Sequence, residues 1–203
     1  MHPIVKPILF LLCLLPFAEL FWLAFNAQLG PDPAEALMKE TGEWAARLLV
    51  LCLAVTPLRH LSGWSSVLKC RRMLGLFCFF YASIHLVLFL HFYLGWVPAR
   101  VLEEILERPY ISAGFAAWLI LLPLAITSTR GMQRRLRRNW QRLHRGVYAV
   151  AVLVSLHYLW QSRSDIGEAL LYSSLFGLLL AYRLLLHLKK LRSSNGAELA
   201  DAL

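Results

Sequence analysis

The segment MLGLFCFFYASIHLVLFLHFYLGWV, Met73–Val97, contains no Asp, Glu, Lys or Arg and carries His85 near its middle. A hydrocarbon core about 30 Å thick is crossed by about 20 apolar residues in helix, so the segment reads as a membrane span. A second uncharged stretch, VYAVAVLVSLHYLW (Val147–Trp160), holds His157 in the same way. An imidazole at that depth loses water and must find a hydrogen-bond partner or a metal. Two of them on neighbouring helices can clamp a haem iron from both sides.

The rest of the chain agrees with a membrane class. It is 59% hydrophobic with a mean hydropathy of +0.57 over 203 residues, beyond the range of soluble domains. Apolar runs recur at Ile8–Phe25, Trp44–Leu58, Met73–Val97, Tyr110–Ile126, Val147–Trp160 and Ala169–Leu188. The second and fifth are short and need their flanks to span. The expected fold is an all-α bundle of six transmembrane helices. One membrane domain, residues 1–192, is followed by a tail, 193–203, that reads as disordered and cytoplasmic. The first run lacks a small-x-small cleavage site and is expected to stay as a span.

Lys and Arg divide unevenly between the loops. The N-terminus, the 59–72 and 128–145 loops and the C-terminal end carry 16, whereas the opposite side carries 5, namely Lys39, Arg47, Arg100, Arg108 and Arg163. The positive-inside rule therefore places both termini in the cytoplasm. The net charge of +9 is mostly this bias, and it argues for lipid headgroups rather than nucleic acid as the partner. The opposite loops are acidic, with Asp32, Glu35, Glu40 and Glu43, then Glu103, Glu104 and Glu107. Gly95–Tyr110 mixes such acids with apolar residues, as an interfacial amphipathic segment or a docking loop does.

In this topology His85 lies 12 residues beyond Met73 and His157 lies 12 beyond Arg145. Both then sit about 18 Å from the inner edge, level with each other, as opposed axial ligands require. Gly75 and Ala82 on the third span are expected to give the iron room. His144 opens the fifth span beside the basic loop. It lies about 20 Å below His157, a rise that suits a second cofactor. On one continuous helix, however, the two point some 140° apart, so a bulge or a loop position is needed. His91 reads as an outer-interface histidine, and His60 and His187 as interfacial ones. Glu19, inside the first run, is either a bonded bundle carboxyl or a quinone or proton site. Cys13, Cys52, Cys70 and Cys78 show no CxxC spacing, which leaves no thiolate zinc site and no covalent haem attachment.

Arg71-Arg72-Met73-Leu74-Gly75-Leu76 with His85, Arg108-Pro109-Tyr110, Thr127-Ser128, and Trp140-Gln141-Arg142-Leu143-His144 through Tyr148 to His157-Tyr158-Leu159-Trp160 form an ordered set. Together they resemble the MsrQ (YedZ) family, the haem-binding membrane subunits of bacterial periplasmic methionine sulfoxide reductase systems. The wider relatives are ferric reductases and NADPH oxidases. The resemblance implies an inner-membrane subunit with b haem, one or two, and flavin mononucleotide. It also implies electron delivery to a periplasmic molybdopterin-containing reductase that repairs oxidised methionine. The donor would be quinol or a cytosolic flavin reductase, and the chain would be an electron-transfer subunit rather than the catalytic one. His85, His144 and His157 match the family's histidines.

Where the wider relatives have an inner histidine, 14 residues before His85, this chain has Arg71. A guanidinium does not ordinarily ligate iron but binds phosphate in a bidentate way. The expected inner cofactor site is therefore flavin, or a second haem, among Arg71, Arg72, Gln141, His144 and Arg145. Two other functions fit the composition: a quinol-linked cytochrome b subunit of a different complex, and a cofactor-free anchor or transporter.

Overall fold

The structure, a computed structural model, describes residues 4–162 and 166–201. The described residues form α1 (Val5–Phe25), α2 (Pro33–Ser62), α3 (Arg71–Phe92), α4 (Pro98–Glu107), α5 (Pro109–Ile126), α6 (Arg130–Leu136), α7 (Arg138–His144), α8 (Gly146–Gln161) and α9 (Ile166–Asp201). A short 3-10 turn, Ser65–Lys69, precedes α3. Among these residues there is no strand. Helices α1, α2, α3, α5 and α9 contain stretches long and apolar enough to cross a membrane. The chain is thus a multi-pass helical membrane protein. The fifth apolar run becomes α8, with 16 residues, so it rises only about 24 Å. Helix α9 carries helical backbone on to Asp201, through the stretch expected to be a disordered tail.

Local chemistry sets the helix ends. Asp32 caps α2, its carboxylate accepting from the Glu35 N–H at 3.0 Å, with Pro33 at the first helical position. Gly63 ends α2 in the left-handed region at φ 71°. Because α2 starts this early, Glu43 is not in an outward loop as its charge suggests. It lies inside the helix, 4% exposed, paired with Arg47 and with Lys39.

Prolines inside α1 and α2 open backbone groups that other helices then engage. Pro16 breaks the α1 ladder. The Tyr81 hydroxyl of α3 enters there, accepting from the Phe17 N–H at 3.0 Å and donating to the Cys13 carbonyl at 2.8 Å. Pro57 has no N–H for the Leu53 carbonyl one turn back. The Arg183 guanidinium of α9 donates to that carbonyl at 2.7 Å and to the Thr56 hydroxyl at 3.1 Å. The core these bonds surround is aliphatic and aromatic, centred on Leu49, Leu53, Tyr81, Val150 and Phe176. Helix α2 packs chiefly on α3, and α5 on α8. These two helix pairs build the site.

Candidate functional site

His85 comes from α3 and His157 from α8, and their ring centroids lie 6.2 Å apart with planes crossing at 88°. Each ring is held from behind by a backbone carbonyl. His85 Nδ1 donates to Met38 O at 2.9 Å and His157 Nδ1 donates to Tyr110 O at 2.7 Å. A carbonyl oxygen can only accept, so Nδ1 carries the proton in both rings. In the neutral imidazole that leaves the Nε2 lone pair free for a metal. Metal–imidazole bonds of about 2.0 Å on opposite sides of one ion put the ring centroids about 6.3 Å apart. The observed separation matches that span.

The two halves of the clamp are built alike. Four residues beyond Met38 stands Gly42, and four beyond Tyr110 stands Gly114. A Cβ on Gly42 would lie 3.0 Å from His85 Nδ1, and one on Gly114 would lie 2.8 Å from His157 Nδ1. In a helix each Cβ leans toward the N-terminus, over the carbonyl one turn earlier. Glycine leaves that carbonyl open to the incoming ring. Both histidines follow their carbonyl partner by 47 residues. Sequence reading overlooked these glycines. The equal Gly42–His85 and Gly114–His157 separations were the available signal. Gly75, expected to make this room, instead lines a second cavity, where a Cβ would meet only Cys52 Sγ at 3.7 Å.

A cavity of about 420 Å³ lies around the pair, walled by His85, His157, Gly42, Gly114, Ala82 and Trp118 among others. Val101 and Ile105 of α4 line it too, so the amphipathic segment expected at the surface also covers this mouth. Leu102 and Leu106 on the same helix stay exposed. Glu104 is tied to Arg108 at 3.0 Å, whereas Glu103 and Glu107 are exposed. The described residues form no group of three or more His, Cys, Asp or Glu that could hold a bare metal ion. Two imidazoles with uncommitted Nε2 lone pairs are the number of ligands that a tetrapyrrole iron still requires.

The second cavity, about 370 Å³, is lined by Arg71, Gln141, His144, Arg145, Trp140 and Tyr148, with no carboxylate in its wall. Four of the five residues expected at an inner site therefore meet there. Arg72 does not line it and is exposed. His144 stands at the end of α7, and the chain turns at Arg145 before α8 begins. His144 and His157 line different cavities. The His144 ring stacks on Trp140 with centroids 4.0 Å apart, and its Nε2 bonds the Thr127 hydroxyl at 3.0 Å. Burial, and after it the Arg71 charge, hold the His144 pKa below the usual histidine value, which favours the neutral ring. Leu49, Cys78 and Leu121 line both cavities, so one layer of side chains separates them.

The remaining candidates fall outside both cavities. Glu19 is exposed on α1 and lines neither. His91, exposed at the end of α3, accepts from the Trp96 indole N–H at 3.2 Å. His60 lies 3.4 Å from the Tyr182 hydroxyl, and His187 is exposed. His2 and Arg163 lie outside the described residues.

Residues 41–155, which take in α3, α5, most of α2 and the first part of α8 and stop just short of His157, match the family described as ferric reductase like transmembrane component. The chain belongs to the MsrQ family of ferric-reductase-like membrane proteins. It is 50% identical over 162 residues to the protein-methionine-sulfoxide reductase heme-binding subunit MsrQ of Xanthomonas axonopodis pv. citri, covering 80% of this chain and 74% of the relative. The protein of the same name from Bordetella pertussis is 43% identical over 181 residues, covering 88% of each chain. No solved structure matches.

Proposed function

We propose that this chain is a transmembrane electron conduit in a bacterial inner membrane. In this reading it carries b haem between His85 and His157 and delivers electrons to a periplasmic methionine sulfoxide reductase. The observation that carries the proposal is the 6.2 Å centroid separation of two imidazoles whose Nδ1 protons are both committed to carbonyls. The names of the relatives, heme-binding subunits of a methionine-sulfoxide reductase, support the same assignment. Here α8 is the sixth span and both termini are cytoplasmic, as the basic α6–α7 segment argues. The histidine cavity is then the outer one and the arginine cavity the inner one.

The residues fit the groups proposed. A b haem would supply a one-electron couple. His85 and His157 would hold it, while the Met38 and Tyr110 carbonyls fix their tautomers and Gly42 and Gly114 admit the rings. Val101 and Ile105 of α4 keep water from its outer edge. Flavin mononucleotide, which couples two-electron donors to one-electron acceptors, suits the inner cavity. There Arg71 and Arg145 offer guanidinium groups for its phosphate, and neutral His144 and Trp140 offer a flat wall. The layer of Leu49, Cys78 and Leu121 keeps the two groups apart yet close. The donor is a quinol or a cytosolic flavin reductase, and the acceptor is a molybdopterin-containing subunit.

Purified protein should show a Soret band with low-spin b-type features and one flavin per chain. A protein given haem during expression that still lacks the band would overturn the proposal. Arg71→Ala should lower flavin occupancy about tenfold or more, the loss of a charge-assisted contact to phosphate, and leave the outer haem spectrum intact. Flavin that stays stoichiometric in the Arg71→Ala, Arg72→Ala double variant moves the site elsewhere.

The docking surface for the reductase is the outward face of α4, with exposed Leu102 and Leu106 among Glu103 and Glu107. Glu104 is a poor choice for a test because it already pairs with Arg108. Reversing Glu103 and Glu107 to Lys should slow electron delivery about tenfold at low salt, with the difference closing at high salt. Transfer rates that match wild type at low salt would remove α4 from the contact.

A further inference from the structure

Arg183 counts by sequence as one more basic residue near the inner end of a span. Its surroundings are different. It is half-buried between α2, α8 and α9, and both terminal nitrogens are engaged: Nη1 donates to the Tyr148 hydroxyl at 2.6 Å, Nη2 to Leu53 O at 2.7 Å and to Thr56 Oγ1 at 3.1 Å. The guanidinium carbon lies 5.0 Å from the centroid of the Tyr148 ring. Its Nε is buried without a hydrogen-bond partner. Among the described residues no carboxylate pairs with it. Tyr148 and Cys52 are both in the wall of the inner cavity. This cavity has no carboxylate in its wall, whereas the outer one has Glu35, Glu43 and Glu168.

We infer that Arg183 is a positioning and tuning residue of the inner site: it fixes Tyr148 as a cavity wall and supplies, from behind that wall, an uncompensated positive charge that makes the inner redox group easier to reduce. The inference rests on the reading that the inner cavity holds a redox group. The physics is direct. An unpaired cation in a medium of low dielectric acts over a longer range than a surface charge, and it stabilises whichever state of a neighbouring group carries the added electron. A neutral donor at this position could satisfy Leu53 O equally well, so packing alone does not call for the charge. The Pro57 break in α2 provides the carbonyl that anchors the guanidinium there.

The test is a potentiometric titration of the purified chain, with inner and outer groups followed separately by their visible spectra. Arg183→Gln should lower the midpoint of the inner group at full occupancy and leave the outer haem within error. Arg183→Lys should retain the wild-type inner midpoint because the charge is kept. Where Arg183→Gln does not fold, Thr56→Asp gives a second route. It sets a carboxylate against Nη2 and should lower the inner midpoint with Arg183 in place. An unchanged inner midpoint in a folded, fully loaded Arg183→Gln or Thr56→Asp variant overturns the inference. So do equal shifts at both groups, which would mark a role in helix packing alone. A wild-type chain holding no redox group beyond the outer haem removes the inner-site reading and this inference with it. That failure is recognised before any substitution is made.

Discussion

Purified His157→Ala is expected to retain about a tenth or less of the wild-type low-spin haem, and His85→Ala the same. Losing the hydrogen-bond partner behind a metal-bound histidine already costs about 10–100-fold in affinity, and losing the ligand costs more. Neither ring has a substitute within reach. His91 is exposed at the far end of α3, bonded to Trp96, and His144 lines the other cavity. The measurement is haem per polypeptide with the low-spin absorption and paramagnetic resonance signals. A His157→Ala protein with the full low-spin signature would sink the assignment. The flavin content of the same variants should hold, because Arg71 and Arg145 are untouched.

Gly114→Ala should damage the outer site nearly as much as removing a ligand, although glycine touches no metal. The new Cβ would lie 2.8 Å from His157 Nδ1 and 3.0 Å from its Cε1. The ring must then retreat, and the bond to Tyr110 O goes with it. A fall of about 10–100-fold in haem affinity follows from losing that orientation. Gly42→Ala meets His85 at 3.0 Å and 3.1 Å and should show a similar but smaller loss. Gly75→Ala is the control: its Cβ meets only Cys52 Sγ, at 3.7 Å, an ordinary contact, so the outer haem should stay. Haem titration of the three proteins decides the matter. Equal affinity in all three would mean that the carbonyl bonds do not orient the rings.

Much of the fold was legible because the membrane imposes a simple rule. Long uncharged runs must become helices, since no other local structure satisfies its own backbone in lipid. Helices α1, α3 and α5 follow the apolar runs closely. The rule fails where charge is tolerated inside the bundle. Helix α2 begins at Pro33, more than two turns before its apolar run, where Asp32 caps it, and Glu43 is accommodated inside it by Arg47 and Lys39. Composition alone places such a carboxylate in a loop. Glu19 shows the converse: it lies in an apolar run, yet it is exposed on α1 and lines neither of the two cavities.

The candidate site divides along the same line. Sequence by itself determined the membrane class, the helical secondary structure, the pairing of His85 and His157 as candidates on uncharged helices, and the basic character of the segments holding Arg71, Gln141, His144 and Arg145. Each of these depends on residue type and on spacing along one helix, and both are local. Only the tertiary structure decided that α2 and α5 present Met38 and Tyr110 carbonyls to the two rings, that Gly42 and Gly114 leave those carbonyls open, and that Arg183 reaches the carbonyl freed by Pro57. Those contacts join residues far apart in the chain, 47 in each histidine pair and 130 for Arg183 with Leu53. Which carbonyl a side chain meets depends on how two helices are rotated and offset against each other. That is fixed by packing across the whole bundle and by no run of neighbouring residues.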